Sequence, residues 1–275
     1  MSECNHDCAS CASNGNCGKQ TREDFLKPQN DLSDVKHVIA VMSGKGGVGK
    51  SMVTSLIATS LMKKGHKVGI LDADITGPSI PKAFGVNEKP RGTETALFPV
   101  KSKKGISIMS SNLLLDDVTD PIIWRGPVIA GAVEQFWTDV AWGDIDYLIV
   151  DMPPGTGDVP LTTFQSLPVE GIVIVTSPQD LVSMIVEKAV KMANKIDIKV
   201  LSIIENMSYF ECPNCGEKHY IFGKSNIDEL AYSYGINSVD KLKIDPTLAS
   251  LTDEGLIEEY DDYNLNQTIK EIEKL

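Results

Sequence analysis

The sequence has little positive charge and no long hydrophobic run. Lysine and arginine contribute 26 residues against 38 aspartates and glutamates, for a formal net charge of −12. Non-specific nucleic-acid binding depends on basic side chains that neutralise phosphates, so this balance argues against a general DNA- or RNA-binding surface. No apolar segment approaches the about 20 residues of a membrane-spanning helix, and the N-terminus lacks the apolar stretch of a signal peptide. We therefore expect a cytoplasmic protein that binds neither nucleic acid nor membrane.

Cysteine is absent from the long middle part of the chain. The six cysteines fall into two groups, one at the N-terminus and one late in the chain. In a reducing compartment, such cysteines serve as metal or redox ligands more often than as disulfides. Their clustering indicates ligands rather than scattered core thiols. The first group is Cys4, Cys8, Cys11 and Cys17, and the second is Cys212 and Cys215.

Most of the chain alternates apolar strands with helices. Residues 1–35 are polar, and we predict a cysteine-rich tail that is ordered only when metal is bound. Residues 36–275 are predicted to form one α/β domain, with a C-x-x-C element inserted at 212–215. The alternation predicts a doubly wound, mainly parallel sheet flanked by helices. The predicted strands are 37–43, 67–71, 105–110, 147–151, 171–176 and 200–204, and the predicted helices are about 50–64, 128–139 and 180–195.

A glycine-rich loop follows the first predicted strand. Gly44 and Gly49 enclose four residues and precede Lys50-Ser51, which is the spacing of a P-loop between a strand and a helix. Glycines that reach positive φ let backbone N–H groups converge on phosphate oxygens, and the helix dipole adds to the attraction. Lys50 is expected to neutralise the β- and γ-phosphates of ATP, and Ser51 to bind Mg²⁺. The predicted nucleotide-binding residues here are Gly44, Lys45, Gly46, Gly47, Val48, Gly49, Lys50, Ser51 and Met52.

Acidic residues stand at the ends of two other predicted strands. Asp72 and Asp74 follow strand 67–71, and Asp151 ends strand 147–151. The carboxyl ends of parallel strands form the ligand-binding edge of a doubly wound sheet. Asp151 takes the Walker B position, where a carboxylate holds Mg²⁺ directly or through water. Asp72 and Asp74 are candidates to orient the attacking water or complete the Mg²⁺ shell, with turn capping as the alternative. Residues 153–158, rich in proline and glycine, are predicted to form a switch loop that senses the γ-phosphate.

Two further elements lie late in the chain. Asn206 follows a buried strand, where an amide offers both a donor and an acceptor to an adenine edge; a plain turn residue is the alternative. Cys212 and Cys215 present two thiolates, which complete neither a tetrahedral zinc site nor a four-thiolate cluster. A second copy of the chain would supply the missing two. The alternatives are a zinc knuckle completed by His219 and another residue, and a dithiol redox pair.

Together these motifs resemble the Mrp/Nbp/ApbC-type iron–sulfur cluster carrier ATPases over nearly all of residues 36–275. That group belongs to the P-loop NTPases with a deviant Walker A motif, like the nitrogenase iron protein. The resemblance implies a homodimer in which Lys45 reaches the partner's nucleotide, with Asp74 positioning water and Asp72 supporting Mg²⁺. It makes Lys45, Lys50 and Asp74 the catalytic residues. It also implies a [4Fe–4S] cluster bridged by Cys212 and Cys215 of both subunits, slow ATP hydrolysis, and cluster transfer to apo-proteins. The matching segments are 44–51, 71–75, 77–81, 124–127, 151–158, 177–179 and 205–208.

Two segments depart from the family pattern. The spacing of Cys8, Cys11 and Cys17 resembles an extra cluster motif of eukaryotic cytosolic members, in which the fourth cysteine lies much further upstream; here Cys4 is the candidate. A second [4Fe–4S] site and adventitious zinc therefore both stay open. Residues 244–246 resemble the end of the family's base-side loop, but Lys243 replaces its first proline.

Two other functions are alternatives. A septum- or partition-type ATPase is disfavoured because residues 264–275 lack the basic amphipathic face that membrane targeting needs. A reductase like the nitrogenase iron protein is disfavoured because its bridging cluster uses two well-separated cysteines, whereas here the late cysteines form one close pair.

Overall fold

A computed structural model of the chain describes residues 22–75, 77, 79–115, 126–178 and 182–275. The predictions for Cys4, Cys8, Cys11 and Cys17 lie outside these residues. So do Pro78, Trp124-Arg125 and Gln179 from the matching segments. In the part that the structure describes, a nine-stranded sheet lies between two layers of helices. The predicted doubly wound, mainly parallel α/β fold is confirmed.

The strands and helices alternate along the chain. The strands are β1 (Ser33–Ser43), β2 (Val68–Asp72), β3 (Arg91–Gly92), β4 (Leu97–Phe98), β5 (Val100–Lys101), β6 (Ser107–Ser110), β7 (Gly143–Asp151), β8 (Val169–Thr176), β9 (Lys199–Glu211), β10 (Lys218–His219) and β11 (Val239–Lys243). The helices are α1 (Lys50–Lys63), α2 (Ile80–Ala83), α3 (Gly126–Thr138), α4 (Asp158–Ser166), α5 (Val182–Lys195), α6 (Ile227–Ser233), α7 (Pro246–Asp253) and α8 (Asn266–Ile272).

The central strands of the sheet are parallel. The order is β10-β9-β8-β1-β7-β2-β6-β5, and β11 also pairs with β9. Antiparallel pairing occurs at the two ends, where β5 meets β6 and β10 meets β9. Because β1 lies between β7 and β8, the loops that follow these three strands emerge side by side at one edge. This edge is where a doubly wound sheet binds ligands.

Alternate residues of each central strand point to opposite faces. In β1, Val38, Ala40 and Met42 join the core under α3, α4, α5 and α6. Ile39 and Val41 join the core under α1, α2, α7 and α8. Ile39 is fully buried, and burying an isoleucine side chain stabilises the fold by about 1.5 to 3 kcal/mol. Both faces of the sheet are therefore covered, which explains its long apolar runs.

The sequence located most central elements but missed several others. The strand predicted at 200–204 is wrong in its end point, because β9 continues through polar residues to Glu211. Residues 87–104 were expected to be irregular, but β3, β4 and β5 lie there, and no helix was predicted for α2, α4, α6, α7 or α8. Nor was a strand predicted for β10 or β11. Their short lengths give weak periodicity, and pairing with β9 stabilises both strands.

Residues 22–32 pack on the domain. Arg22 donates from Nη2 to the carbonyl oxygen of Val169 at 2.7 Å, and the N–H of Lys27 donates to Ser166 O at 2.9 Å. Asn30 Nδ2 donates to Thr138 O at 3.1 Å. The division of the chain at residue 35 stays a prediction, and these contacts place packed residues upstream of it.

Candidate nucleotide site and cysteine hairpin

The glycine-rich loop connects β1 to α1 at the carboxyl edge of the sheet. Gly47 and Gly49 both have φ of 81°, a left-handed conformation that favours glycine. Lys50 begins the helix. A cavity of about 320 Å³ opens above the loop and is lined by Gly47, Lys50, Ser51, Met52, Asp74 and Pro154. The local geometry is therefore that of a phosphate-binding loop.

Sheet register brings the predicted acids to this loop. Asp72 of β2 is the cross-strand neighbour of Asp151 of β7, which also pairs with Val41 of β1. Lys50 Nζ lies 2.8 Å from Asp151 Oδ1 and 3.5 Å from Asp74 Oδ2. The structure thus assembles Lys50, Asp72, Asp74 and Asp151 in one cluster, as the sequence predicted for a nucleotide and Mg²⁺ site.

Hydroxyl groups complete the surroundings of the acids. Ser51 Oγ donates to Asp151 Oδ2 at 2.5 Å, and Thr54 Oγ1 is 2.7 Å from Asp151 Oδ1. Ser110 Oγ, at the end of β6, donates to Asp72 Oδ2 at 3.0 Å. Neither Thr54 nor Ser110 was predicted from the sequence. Thr54 lies one helical turn after Lys50, a spacing that places both on one face of α1, whereas no local pattern points to Ser110.

Negative charge is in excess at this edge. Asp72 and Asp151 are fully buried, and Lys50 is 6% exposed. Burial, followed by the neighbouring charge of Asp151, raises the pKa of the Asp72 carboxyl well above its usual range. A divalent cation held by Ser51, Asp151 and Asp72 would offset this charge, and hard oxygen ligands of this kind suit Mg²⁺. The donor set therefore fits Mg²⁺.

Asn206 contacts the backbone of the phosphate loop. Its Nδ2 donates to Val48 O at 2.9 Å, and the side chain is buried. Its Oδ1 is also buried and has no hydrogen-bond partner among the described residues. This leaves an acceptor available beside the loop, and the predicted contact between Asn206 and adenine stays a prediction.

Gly49 has no room for a side chain. A Cβ at this position would stand 2.4 Å from Asn206 Nδ2, and the residue has φ of 81°. We expect Gly49→Ala to lower the free energy of unfolding by about 1 to 3 kcal/mol, because it adds backbone strain and pushes Asn206 from the loop. Denaturant unfolding without nucleotide measures this effect. Gly46→Ala is the matched control, since a Cβ there meets no atom of the described residues within 4 Å. Equal losses in both variants would contradict the expected clash at Gly49.

The segment after β7 touches the start of the phosphate loop. The N–H of Gly155 donates to Ser43 O at 2.7 Å, and the N–H of Met152 donates to Val41 O at 3.0 Å. This contact suits the predicted switch role of residues 153–158, which stays a prediction. Lys45 is partly exposed, and its carbonyl oxygen accepts from Ser43 Oγ at 3.0 Å.

Cys212 and Cys215 occupy the turn between β9 and β10. The N–H of Cys212 donates to Glu217 O at 2.9 Å, and the N–H of Gly216 donates to Cys212 O at 2.8 Å, which closes the turn. Cys212 is partly exposed and Cys215 exposed. The N–H groups of Asn214 and Cys215 lower the pKa of the Cys212 thiol below its usual value. Both features favour thiolate ligands that a metal can reach.

The turn by itself supplies two ligands. Among the residues that the structure describes, no three His, Cys, Asp or Glu side chains come together in a group able to hold a metal ion. Within these residues, the alternative zinc knuckle that uses His219 is therefore not assembled in one chain.

Residues 243–247 form the other wall of a cavity beside the turn. This cavity, of about 510 Å³, is lined by Cys212 and Glu211 on one side and by Lys243, Asp245 and Thr247 on the other. Asp245 caps α7 by accepting from the N–H of Thr247 at 2.8 Å. The segment that resembles the base-side loop thus borders the cysteine turn.

Fold and site together define a P-loop NTPase of the deviant Walker A group. The chain belongs to the NUBPL iron-transfer P-loop NTPase family, whose profile matches residues 34–275. No helix in the described ranges has the length and apolar character needed to span a membrane.

Several known proteins are similar over most of their length. An iron–sulfur cluster carrier protein of Clostridium perfringens is 45% identical over 267 residues, covering 92% of this chain and 94% of the relative. A cytosolic Fe–S cluster assembly factor, CFD1, of Kluyveromyces lactis is 40% identical, covering 88% of this chain and 90% of its own. A nucleotide-binding protein of Archaeoglobus fulgidus, solved in complex with ADP, is 48% identical with a TM-score of 0.76; the match covers 83% of this chain and 90% of that one.

Proposed function

We propose that this protein is an ATP-dependent iron–sulfur cluster carrier. It binds a [4Fe–4S] cluster between two copies, hydrolyses ATP slowly, and passes the cluster to apo iron–sulfur proteins. The observation that carries the proposal is the accessible pair of Cys212 and Cys215, in a turn that directly follows the strand contacting the phosphate loop. The names of the relatives support it, and they favour this function over the septum-type ATPase and the reductase.

The proposed cluster site needs a second copy of the chain. A [4Fe–4S] cluster takes four thiolates, and Cys212 and Cys215 supply two. Tyr220, Ile221 and Phe222 follow the hairpin directly and are 41%, 60% and 45% exposed. Consecutive exposed apolar side chains are typical of interaction surfaces. They support a homodimer whose two-fold axis passes near the cysteine turns.

The phosphate loop is the proposed site of ATP hydrolysis. On nucleotide binding, Lys50 exchanges part of its contact with Asp74 and Asp151 for the β- and γ-phosphates. Ser51, Asp151 and Asp72 would hold Mg²⁺, which would supply positive charge to offset that of the phosphates. Asp74 is then released to orient the water that attacks the γ-phosphorus, while the bond to ADP breaks. Lys45 completes the partner's site, and Asn206 reads the adenine edge.

The finer assignments belong to the same proposal. Cys4, Cys8, Cys11 and Cys17 form a second metal site in the tail that precedes the ATPase domain, which takes either a [4Fe–4S] cluster or adventitious zinc. The protein works in the cytoplasm and binds neither nucleic acid nor membrane, which its net charge of −12 favours.

Anaerobic reconstitution tests the function directly. The full-length protein is incubated with ferrous iron and sulfide, and bound iron, particle mass and Mössbauer spectrum are measured. The carrier proposal expects one four-iron cluster per dimer beyond any iron on the N-terminal cysteines, and transfer to an apo-ferredoxin. A protein that binds no iron at Cys212 and Cys215, or transfers none, would overturn it. Co-sedimentation with DNA or lipid vesicles that depends on ATP would instead revive the spatial-regulation ATPase.

A further inference from the structure

One strand runs between the phosphate loop and the cysteine turn. Asn206 of β9 donates to Val48 O of the loop at 2.9 Å, and Cys212 follows the last residue of the same strand. Six residues of extended chain cover about 20 Å. β9 is therefore a direct covalent path between the two proposed sites.

The strand is irregular between these two points. Glu205 pairs with Lys241 of β11, and Tyr209 pairs with Lys243, so four steps along β9 match two along β11. Inside this bulge, Met207 has φ of 56°, one of two positive φ values at non-glycine residues in the described part of the chain. A residue other than glycine rarely adopts this backbone conformation, and such residues cluster at functional and switching segments. Bulges likewise occur next to active sites.

Buried polar groups hold the bulge in an incompletely satisfied arrangement. Ser208 Oγ donates to Glu205 Oε1 at 2.6 Å, and both side chains are buried. In the part of the chain that the structure describes, Glu205 Oε2 and Asn206 Oδ1 are buried without a hydrogen-bond partner. A buried acceptor without a donor is unfavourable. A second arrangement of the bulge, in which these two oxygens accepted hydrogen bonds, would therefore compete with this one.

Beyond the bulge, the strand is tied to the surroundings of the cysteines. The N–H of Ile244 donates to Tyr209 O at 2.7 Å. Lys218 Nζ of β10 lies 4.2 Å from the centroid of the Tyr209 ring. A change in the bulge would therefore move Tyr209, the hairpin and segment 243–247 together, and Cys212 with them.

We propose that Glu205 and Ser208 are positioning residues that couple the phosphate loop to Cys212 through the bulge Glu205–Tyr209. Nucleotide phosphates order the loop and fix Val48, Val48 fixes Asn206, and the Glu205–Ser208 hydrogen bond transmits this position along β9. The coupling rests on the proposed function, in which nucleotide binds at the loop and the cluster at the cysteines.

The test is a thiol-reactivity measurement on the cluster-free full-length protein. Cys212 and Cys215 are alkylated with iodoacetamide with and without MgADP, and peptide mass spectrometry separates them from the N-terminal cysteines. In the unmodified protein, we expect MgADP to change the Cys212 alkylation rate about 5-fold or more, the lower end of usual allosteric coupling. Ser208→Ala removes the hydroxyl, and Met207→Gly places at this φ a residue that adopts it without strain. In each variant, the ratio of the Cys212 alkylation rates with and without MgADP should lie within about twofold of unity.

Two matched variants separate coupling from simple loss of structure. Ser208→Thr keeps the hydroxyl and should keep the nucleotide effect. Asp197→Gly relieves the other positive φ, 55°, at an exposed residue, and should also keep it. The MgADP dissociation constant should be unchanged in all four variants. Nucleotide effects equal to that of the unmodified protein in both Ser208→Ala and Met207→Gly would overturn the coupling, as would an unmodified protein with no effect.

Cluster reconstitution and transfer distinguish a failure of the proposed coupling from a failure of the proposed carrier function. If reconstitution yields no iron on Cys212 and Cys215, the carrier function fails whatever the alkylation ratio shows. If the cluster forms and transfers but MgATP alters transfer equally in the unmodified protein, Ser208→Ala and Met207→Gly, the function stands and the coupling through the bulge fails.

Discussion

Replacing Cys212 and Cys215 together by serine is expected to abolish the proposed bridging cluster and leave nucleotide binding intact. The two thiols lie on a turn closed by backbone hydrogen bonds from Cys212 to Glu217 and from Gly216 to Cys212, and these do not involve sulfur. The turn should therefore keep its shape without them. Iron counting after anaerobic reconstitution should fall by four atoms per dimer, and cluster transfer from this site should fall to background.

The N-terminal cysteines provide the matched comparison. A variant with serine at Cys4, Cys8, Cys11 and Cys17 should keep the bridging cluster and lose iron held by the tail. After reconstitution, this variant should keep the particle mass of a dimer, whereas the Cys212/Cys215 variant should have a lower particle mass. If the Cys212→Ser/Cys215→Ser protein still binds four irons per dimer and transfers them, the proposed site is wrong.

Replacing Lys50 by methionine is expected to abolish ATP hydrolysis and destabilise the nucleotide-free fold. Lys50 Nζ lies 2.8 Å from the fully buried Asp151. Breaking a buried ion pair by removing one partner costs about 3 to 5 kcal/mol, because a charge is left buried without compensation. The hydrolysis rate should fall by about 100-fold or more, as for loss of one transition-state donor. Denaturant unfolding and phosphate release measure the two effects.

A double variant and a loop variant separate these effects. Lys50→Met/Asp151→Asn removes both charges, so it should regain part of the lost stability but none of the hydrolysis. Lys45→Ala should keep the stability, because Lys45 is partly exposed, and should lose hydrolysis if it completes the partner's site. Unchanged unfolding of Lys50→Met would show that the ion pair with Asp151 does not stabilise the domain.

The phosphate loop was predictable because its chemistry is local. Gly47 and Gly49 need positive φ, and Lys50 and Ser51 need a helix start directly after them; all of this is encoded in consecutive residues. The acids Asp72 and Asp151 were predictable for a related reason. Each ends an apolar strand, and parallel strands bring their carboxyl ends to one edge.

The contacts around those acids were not predictable in the same way. Ser110 reaches Asp72 because β6 pairs with β2, and that pairing joins residues far apart in the chain. The bulge in β9 was also missed. Its mismatch with β11 arises from the pairing of two strands. Positive φ is usually predicted from a glycine, and position 207 is a methionine.

By itself, the sequence determined the fold class, the phosphate loop and the positions of the candidate acidic and thiol residues, because these depend on residue type and short spacing. Tertiary structure alone decided that Lys50 pairs with Asp151, that Asn206 lies against Val48, and that one strand joins the loop to Cys212. Long-range strand register places these groups, and register depends on how the apolar faces of the whole sheet pack against its helices.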